Sequence, residues 1–300
     1  MPLSAVLLVL LAGLIHASWN IAAKKARGDI RFSAFTSWVM LLVWAPLGMY
    51  LAWQEVPSWG WPQWACVGLS AVVHVGYFVC LLRGYRQADL TVVYPLARGS
   101  GPLLSSLAAV WLLGEHLSAW AMVGIAAMIG GVFLIAGGPG VWRMANAAGH
   151  TPASALVRQR LLHGLGYGLV TGVFIATYTV IDGYGVKVLL VSPILLDYVG
   201  NVFRLFLVTP ALLRDRPAAW REWRAQWKYA VWVGVVSPVS YVLVLYALQI
   251  APLSHVAPAR EISMLFAALL GGHLLGEQDR WLRLVGAGLI ALGVMTLAWN

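Results

Sequence analysis

Two arginines lie inside apolar runs, Arg98 in YPLARGSGP and Arg260 in VAPAREIS. A charged side chain at hydrocarbon depth costs about 3 kcal/mol on insertion scales unless it faces protein or water. Both arginines are therefore expected to face one central cavity. A guanidinium grips carboxylate, phosphate or phosphonate through two parallel hydrogen bonds, so the expected chemistry is recognition of an anionic group. The plainer alternative is that each arginine ties helices together or pairs with Glu261. Tyr94 stands four residues before Arg98, on the same helical face, where it can orient a ligand or hydrogen-bond the guanidinium. Pro95, Gly99, Gly101 and Pro102 surround Arg98, and Pro252 and Pro258 flank Arg260. Such residues break helices, either to expose backbone groups to a ligand or simply to kink for packing.

Ser100 joins the candidate binding residues, and a nucleophilic role for it fails on its setting. Intramembrane serine proteases place glycine two residues before the serine; here that residue is Arg98, and the repeated passage carries Ile262 in place of Ser100. A proton-coupled carrier needs a titratable acid, for which Asp197, Asp182 and Glu261 are the candidates. Asp197, Asn201 and Arg204 fall at i, i+4 and i+7, one polar stripe on a helix, which an internally satisfied network would explain equally. Trp19 and Asn20 align with Tyr178 and Thr179, so Trp19, Asn20 and Tyr178 are candidate cavity liners or else ordinary interfacial residues. His74 and His255 complete the candidate binding set, while His16 ends the first apolar run. A lone histidine in such a run is more often a packing residue, and no metal-ligand spacing or cofactor motif occurs.

The elements that must position these groups are apolar. The 300 residues are 61% hydrophobic and 10% charged, with mean hydropathy +0.79, so lipid is the expected solvent for most of the chain. A net charge of +9 resides in short loops between apolar runs, which points to a membrane surface and away from nucleic acid. Cys66 and Cys80 share one run; on a helix they stand about 21 Å apart and cannot bridge. The positive cluster Lys24, Lys25, Arg27, Arg31 follows the first apolar run, as in a retained span and unlike a cleaved leader.

Runs of about 17 to 25 residues, long enough to cross a bilayer, fall at 3–20, 33–53, 63–82, 91–113 and 119–137, then at 163–182, 192–213, 229–248, 254–275 and 281–299. The fold class expected is an all-α integral membrane protein of ten transmembrane helices. Residues 1–140 form one five-helix half and 162–300 the other, joined by a Gly/Ala/Pro-rich cytoplasmic linker at 141–161. The halves repeat: Leu113-Gly114-Glu115 matches Leu275-Gly276-Glu277, Gly124 matches Gly286, and Gly131 matches Gly293. Five is odd, so the second copy enters from the opposite side and the repeats are inverted, an arrangement typical of secondary transporters.

Loops on one side carry sixteen lysines and arginines against Lys187 alone on the other. The positive-inside rule then places both termini outside. Trp53, Trp59, Trp61 and Trp64 form an interfacial cluster on that outer side. On the basic side, Trp220, Trp223 and Trp227 share a helical face opposite Arg221, Arg224 and Lys228, which predicts a short helix lying in the cytoplasmic interface.

The duplicated halves, each with an LGE turn followed by a Gly-rich last helix, resemble the EamA-type permeases of the drug/metabolite transporter superfamily over essentially the whole chain. The passage from His16 to Lys24 is similar to that family's first-helix ending, and Gly288 to Val294 resembles the last-span packing motif of the small multidrug exporters. The resemblance implies a permease of ten helices. Those exporters use a membrane glutamate in the first helix, whereas this first span has no acid. Many ten-helix relatives are expected to keep their termini in the cytoplasm, the reverse of the charge count here.

The function expected is secondary transport of a small polar anionic or zwitterionic metabolite (amino acid, organic anion, phospho- or phosphonate anion) by alternating access, with a coupling proton or counter-substrate. The location expected is a bacterial inner membrane, with monomer and homodimer both open. Export of drugs or other lipophilic compounds is the alternative. A membrane enzyme acting on a polar headgroup would need an acid, a base and a nucleophile together, and no such cluster occurs. No nucleotide-binding P-loop is present to supply direct ATP drive.

Overall fold

The computed structural model describes residues 1–26, 28–88, 90–135, 152–266 and 280–299. Ten α-helices occur among them: α1 Leu3–Ala26, α2 Ile30–Glu55, α3 Trp61–Gln87, α4 Leu90–Leu113, α5 Ala119–Ile135, α6 Pro152–Lys187, α7 Pro193–Arg214, α8 Arg216–Ile250, α9 Leu253–Ala259 and α10 Arg280–Trp299. Seven of these helices are long and apolar enough to cross a membrane, and the apolar segments Ala119–Leu134 and Leu284–Trp299 are shorter. Large apolar side chains stand exposed along them, as Leu3, Leu7, Leu11 and Leu14 do on α1. A surface like that needs lipid around it. The chain is a multi-pass membrane protein.

Local chemistry fixes the ends. Asp29 begins α2, its carboxylate accepting from the Arg31 N–H at 2.7 Å, and Asp215 begins α8 by accepting from the Ala218 N–H at 3.0 Å. Helix α4 stops at Gly114, whose φ of +66° is the left-handed conformation that glycine adopts without steric cost. The Glu115 N–H then turns back to the Ala109 carbonyl at 3.3 Å, folding the chain onto the last turn of α4.

By internal packing the chain divides into two units. One comprises Met1–Leu3, Gly76–Val180 and Pro252–Asn300; the other comprises Ser4–Val75 and Ile181–Ala251. Each unit draws helices from both sequence halves, and α3 and α6 are shared between the units along their lengths.

In the first unit α5 packs on α10 and α4 on α9. Small residues set the α5–α10 approach. A Cβ on Gly124 would meet the Gly293 carbonyl at 3.1 Å, and one on Gly131 would press into the Gly286 carbonyl. As α5 runs from Gly124 to Gly131 its partner runs from Gly293 back to Gly286, so the helices are antiparallel with backbones in contact. In the second unit α2 packs on α7 and α8. Tyr198 fills the space over Gly48, while Phe32, Ala230 and Val233 form a small buried cluster with Ala26.

Two sequence expectations differ from the structure. Helix α6 begins at Pro152, inside the stretch read as linker, because ASALVRQRLL holds no helix breaker. Residues 217–228 form no separate interfacial helix; they are the first turns of the continuous α8, with nothing to interrupt the backbone between Lys228 and Tyr229. Trp220 and Trp227 are exposed there beneath Arg224 and Lys228, whereas Trp223 packs on Phe35. The helix break expected from the prolines near Arg260 is present: α9 ends after seven residues, Arg260 and Glu261 form a turn, and helix resumes at 262–266.

Candidate functional site

The break after α9 follows from its sequence. Pro258 has no N–H, so the Ser254 carbonyl loses its intrahelical donor. The Ser106 hydroxyl of α4 donates to that carbonyl instead, at 3.1 Å. Beyond Pro258 the backbone tightens to i→i+3 bonds: the Glu261 N–H to the Pro258 carbonyl at 2.9 Å, Ser263 to Arg260 at 3.2 Å and Met264 to Glu261 at 2.8 Å. At its other end α9 presents the N–H groups of Leu253 and Ser254, first-turn donors without intrahelical acceptors. The Glu115 carboxylate accepts both, at 2.7 and 2.8 Å. The LGE turn therefore ends one helix and caps another.

This framework positions the first polar cluster. Arg98 of α4 reaches the broken segment, its Nε 2.8 Å from the Glu261 carboxylate and its Nη2 donating to the Ser263 hydroxyl at 3.0 Å. Arg260, the preceding residue, adds a second positive charge to the surroundings of Glu261. Arg260 and Glu261 are 7% and 2% exposed. The arrangement realises the ion pair that the sequence offered as the plainer alternative, and it also brings both arginines to one acid.

The other expected members of this set fare differently. Ser100 spends its hydroxyl on the Leu96 carbonyl of its own helix at 2.5 Å and presses against Gly172. Tyr178 is buried, its ring edge-on to Tyr77 with centroids 5.8 Å apart. His255 is buried at the start of α9 with Nδ1 3.2 Å from the Ser254 hydroxyl. The Tyr94 backbone belongs to α4, and its side chain lies outside the described residues.

The second cluster lies in the other unit. Asp182 near the end of α6 is fully buried and accepts a hydrogen bond from the Tyr241 hydroxyl of α8. Ser70 of α3 also faces this carboxyl. His74, one turn on, has Nδ1 2.9 Å from the Ser70 carbonyl and meets the Tyr241 ring edge-on at 5.8 Å. On α7 the Arg204 Nη2 sits 2.8 Å from the Asp197 carboxylate, and Asn201 turns away to the Ser37 carbonyl at 2.9 Å. The stripe Asp197–Asn201–Arg204 is thus the internally satisfied network, holding α7 to α2. Trp19 donates Nε1 to the Ser240 hydroxyl at 3.1 Å and stacks edge-on with His16. Asn20 is half-buried on α1.

Sequence reading passed over Tyr241, Ser70 and Ser263. Each is a hydroxyl in an apolar run, and Ser70 with His74 has the i, i+4 spacing that could have marked a polar face.

Comparisons with known proteins add to this geometry. A protein of solved crystal structure, 18% identical, superposes with a TM-score of 0.71 over 98% of this chain and 96% of its own, so it shares the fold. No curated protein matches the sequence. The model of the EamA-like transporter family matches twice, over residues 3–137 and 162–299. Together the two matches span nearly the whole chain, which belongs to the EamA-like transporter family, in the drug/metabolite transporter superfamily.

Proposed function

We propose that this chain is a secondary transporter that moves a small anionic or zwitterionic metabolite by alternating access, binding its anionic group at Arg98 and Arg260. The observation that carries this reading is the Arg98–Glu261 ion pair beside the break in the ninth apolar segment, with the buried Arg260 as a second positive charge next to it. Interrupted helices near the midplane are where carriers of this kind place substrates. Glu261 holds the site closed without substrate, and an incoming carboxylate or phosphate competes with it for Arg98. Two guanidinium charges against one carboxylate favour an anion over a cation.

The halves are read as inverted repeats, 1–140 and 162–300, joined by 141–161. The α5–α10 contact supports this: exchanging each glycine for its repeat equivalent turns the Gly124–Gly293 contact into Gly286–Gly131, the other contact observed. The antiparallel course of the two helices also suits a two-fold axis in the membrane plane. We place the protein in a bacterial inner membrane with both termini outside, on the loop charges. Asp182, Asp197 and Glu261 remain the acids from which a coupling proton would be taken, and Trp19, Asn20, Tyr178, His74 and His255 are kept as lining residues.

The first test is a thermal-stability screen of the purified protein against amino acids, dicarboxylates, phosphate esters and phosphonates, with lipophilic cations as controls. A stabilising anion whose effect disappears in Arg260→Gln is the expected outcome. Stabilisation by lipophilic cations alone would reject the reading.

A further inference from the structure

We propose that Asp182 is the group that takes up and releases a proton in this protein, with Tyr241 as its hydrogen-bond partner and the Asp197–Arg204 pair as its charge background. For the use of that proton in transport the proposal rests on the carrier reading above; for its binding it does not.

Among the described residues three acids lie buried within apolar segments, and geometry separates them. Glu261 sits 2.8 Å from Arg98 with Arg260 acting on it as well, and Asp197 sits 2.8 Å from Arg204. Each of those carboxylates is matched by a guanidinium. Asp182 is fully buried; Oδ2 accepts from the neutral Tyr241 hydroxyl, and Oδ1 has no hydrogen-bond partner among the described residues. The groups facing it are Cys66, Ser70 and His74 from α3, Tyr241 from α8, and Asp197 and Arg204 from α7.

Charge counting then assigns the site. With imidazole neutral, Asp182, Asp197 and Arg204 sum to one negative charge, and adding one proton brings the cluster to zero. A net charge sealed from water is costly, and a second acid beside a single cation is the arrangement in which a proton is shared or exchanged. The balanced step is simple. Hydronium gives its proton to Asp182 Oδ1, an O–H bond forms and water leaves. Oδ2 meanwhile keeps the Tyr241 hydrogen bond, and Oδ1, buried with no hydrogen-bond partner among the described residues, is the oxygen free to carry the proton.

The test is infrared difference spectroscopy of the full-length protein in liposomes, alternated between acid and alkaline buffer without any substrate. Wild type should show a protonated-carboxyl C=O band in acid that vanishes in alkali. Asp182→Asn should lose that band, Tyr241→Phe should shift its frequency, Glu261→Gln should keep it, and Asp197→Asn, which leaves Arg204 to balance Asp182, should move its appearance to lower pH. Persistence of the band in Asp182→Asn, or its absence from wild type, overturns the proposal. If Asp182→Asn does not elute as a single folded species, an unshifted band in Tyr241→Phe is decisive against it. Since no substrate enters the measurement, failure of the arginine assignment leaves this result readable.

Discussion

The Glu115 carboxylate accepts the backbone N–H groups of both Leu253 and Ser254, so the end of α4 is tied to the start of α9. The consequence is positional. Arg98 on α4 and Glu261 beyond α9 meet where α9 is pinned at its first turn, Glu115 holding the Leu253 and Ser254 N–H groups and Ser106 the Ser254 carbonyl.

Replacing Glu115 by glutamine leaves one acceptor oxygen and removes the charge at a helix N-terminus. A lost charged cap costs about 1–2 kcal/mol. Thermal unfolding in detergent should therefore show a lower midpoint for Glu115→Gln, and a still lower one for Glu115→Ala. A midpoint equal to wild type would mean the cap does not hold α9 in place.

Bulk at the α5–α10 contact should be worse. A side chain on Gly131 would enter the Gly286 backbone, where nothing can move aside. Overpacking costs typically about 1–3 kcal/mol, and more when backbone is the obstacle. Gly131→Leu should abolish monodisperse purification, whereas Gly130→Leu, where a Cβ would meet nothing within 4 Å, should be tolerated. Equal yields of the two variants would contradict the packing.

The Asp197–Arg204 pair gives a thermodynamic cycle. Arg204→Leu alone leaves a buried acid without its partner and should cost about 3–5 kcal/mol. Adding Asp197→Leu should recover a substantial part of that loss in the same unfolding assay. Additive losses would show that the two side chains do not depend on each other.

Much of this was legible before the structure, and the rest was hidden for a physical reason. The LGE repeat could be read as a turn because a glycine between an apolar run and an acid is what a left-handed helix stop requires. Its second task, capping α9, depends on which helix lies opposite and leaves no local mark. Pro258 promised a break near Arg260, since it removes a known hydrogen bond. That Ser106 would satisfy the freed carbonyl is a matter of packing. Arg98 and Glu261 were recognisable as a possible pair, whereas Tyr241 became informative only when its helix came beside Asp182. The reach of α8 through Pro217–Lys228 was misjudged because amphipathic pattern says which face meets water and is silent on whether the helix continues.

Orientation has its own check. Sixteen basic residues in the loops of one side against Lys187 on the other predict a C-terminus outside the cytoplasm. A C-terminal alkaline phosphatase fusion should be active and a fluorescent-protein fusion dark. An inactive phosphatase beside a glowing fusion would reverse the orientation.

Arg98 and Arg260 are proposed to bind the anionic group of the substrate, in competition with Glu261. The most direct measurement is counterflow of a stabilising anion in proteoliposomes containing wild type, Arg98→Gln, Arg260→Gln or Glu261→Gln, each first shown to be monodisperse. Losing a charged hydrogen-bond partner is worth about 1.5–3 kcal/mol, so each arginine variant should bind the anion about ten- to a hundredfold more weakly. Glu261→Gln, which removes the competing carboxylate, should bind it more tightly. A purely structural ion pair would lower all three alike. Anion affinity and flux unchanged in both arginine variants would contradict the account.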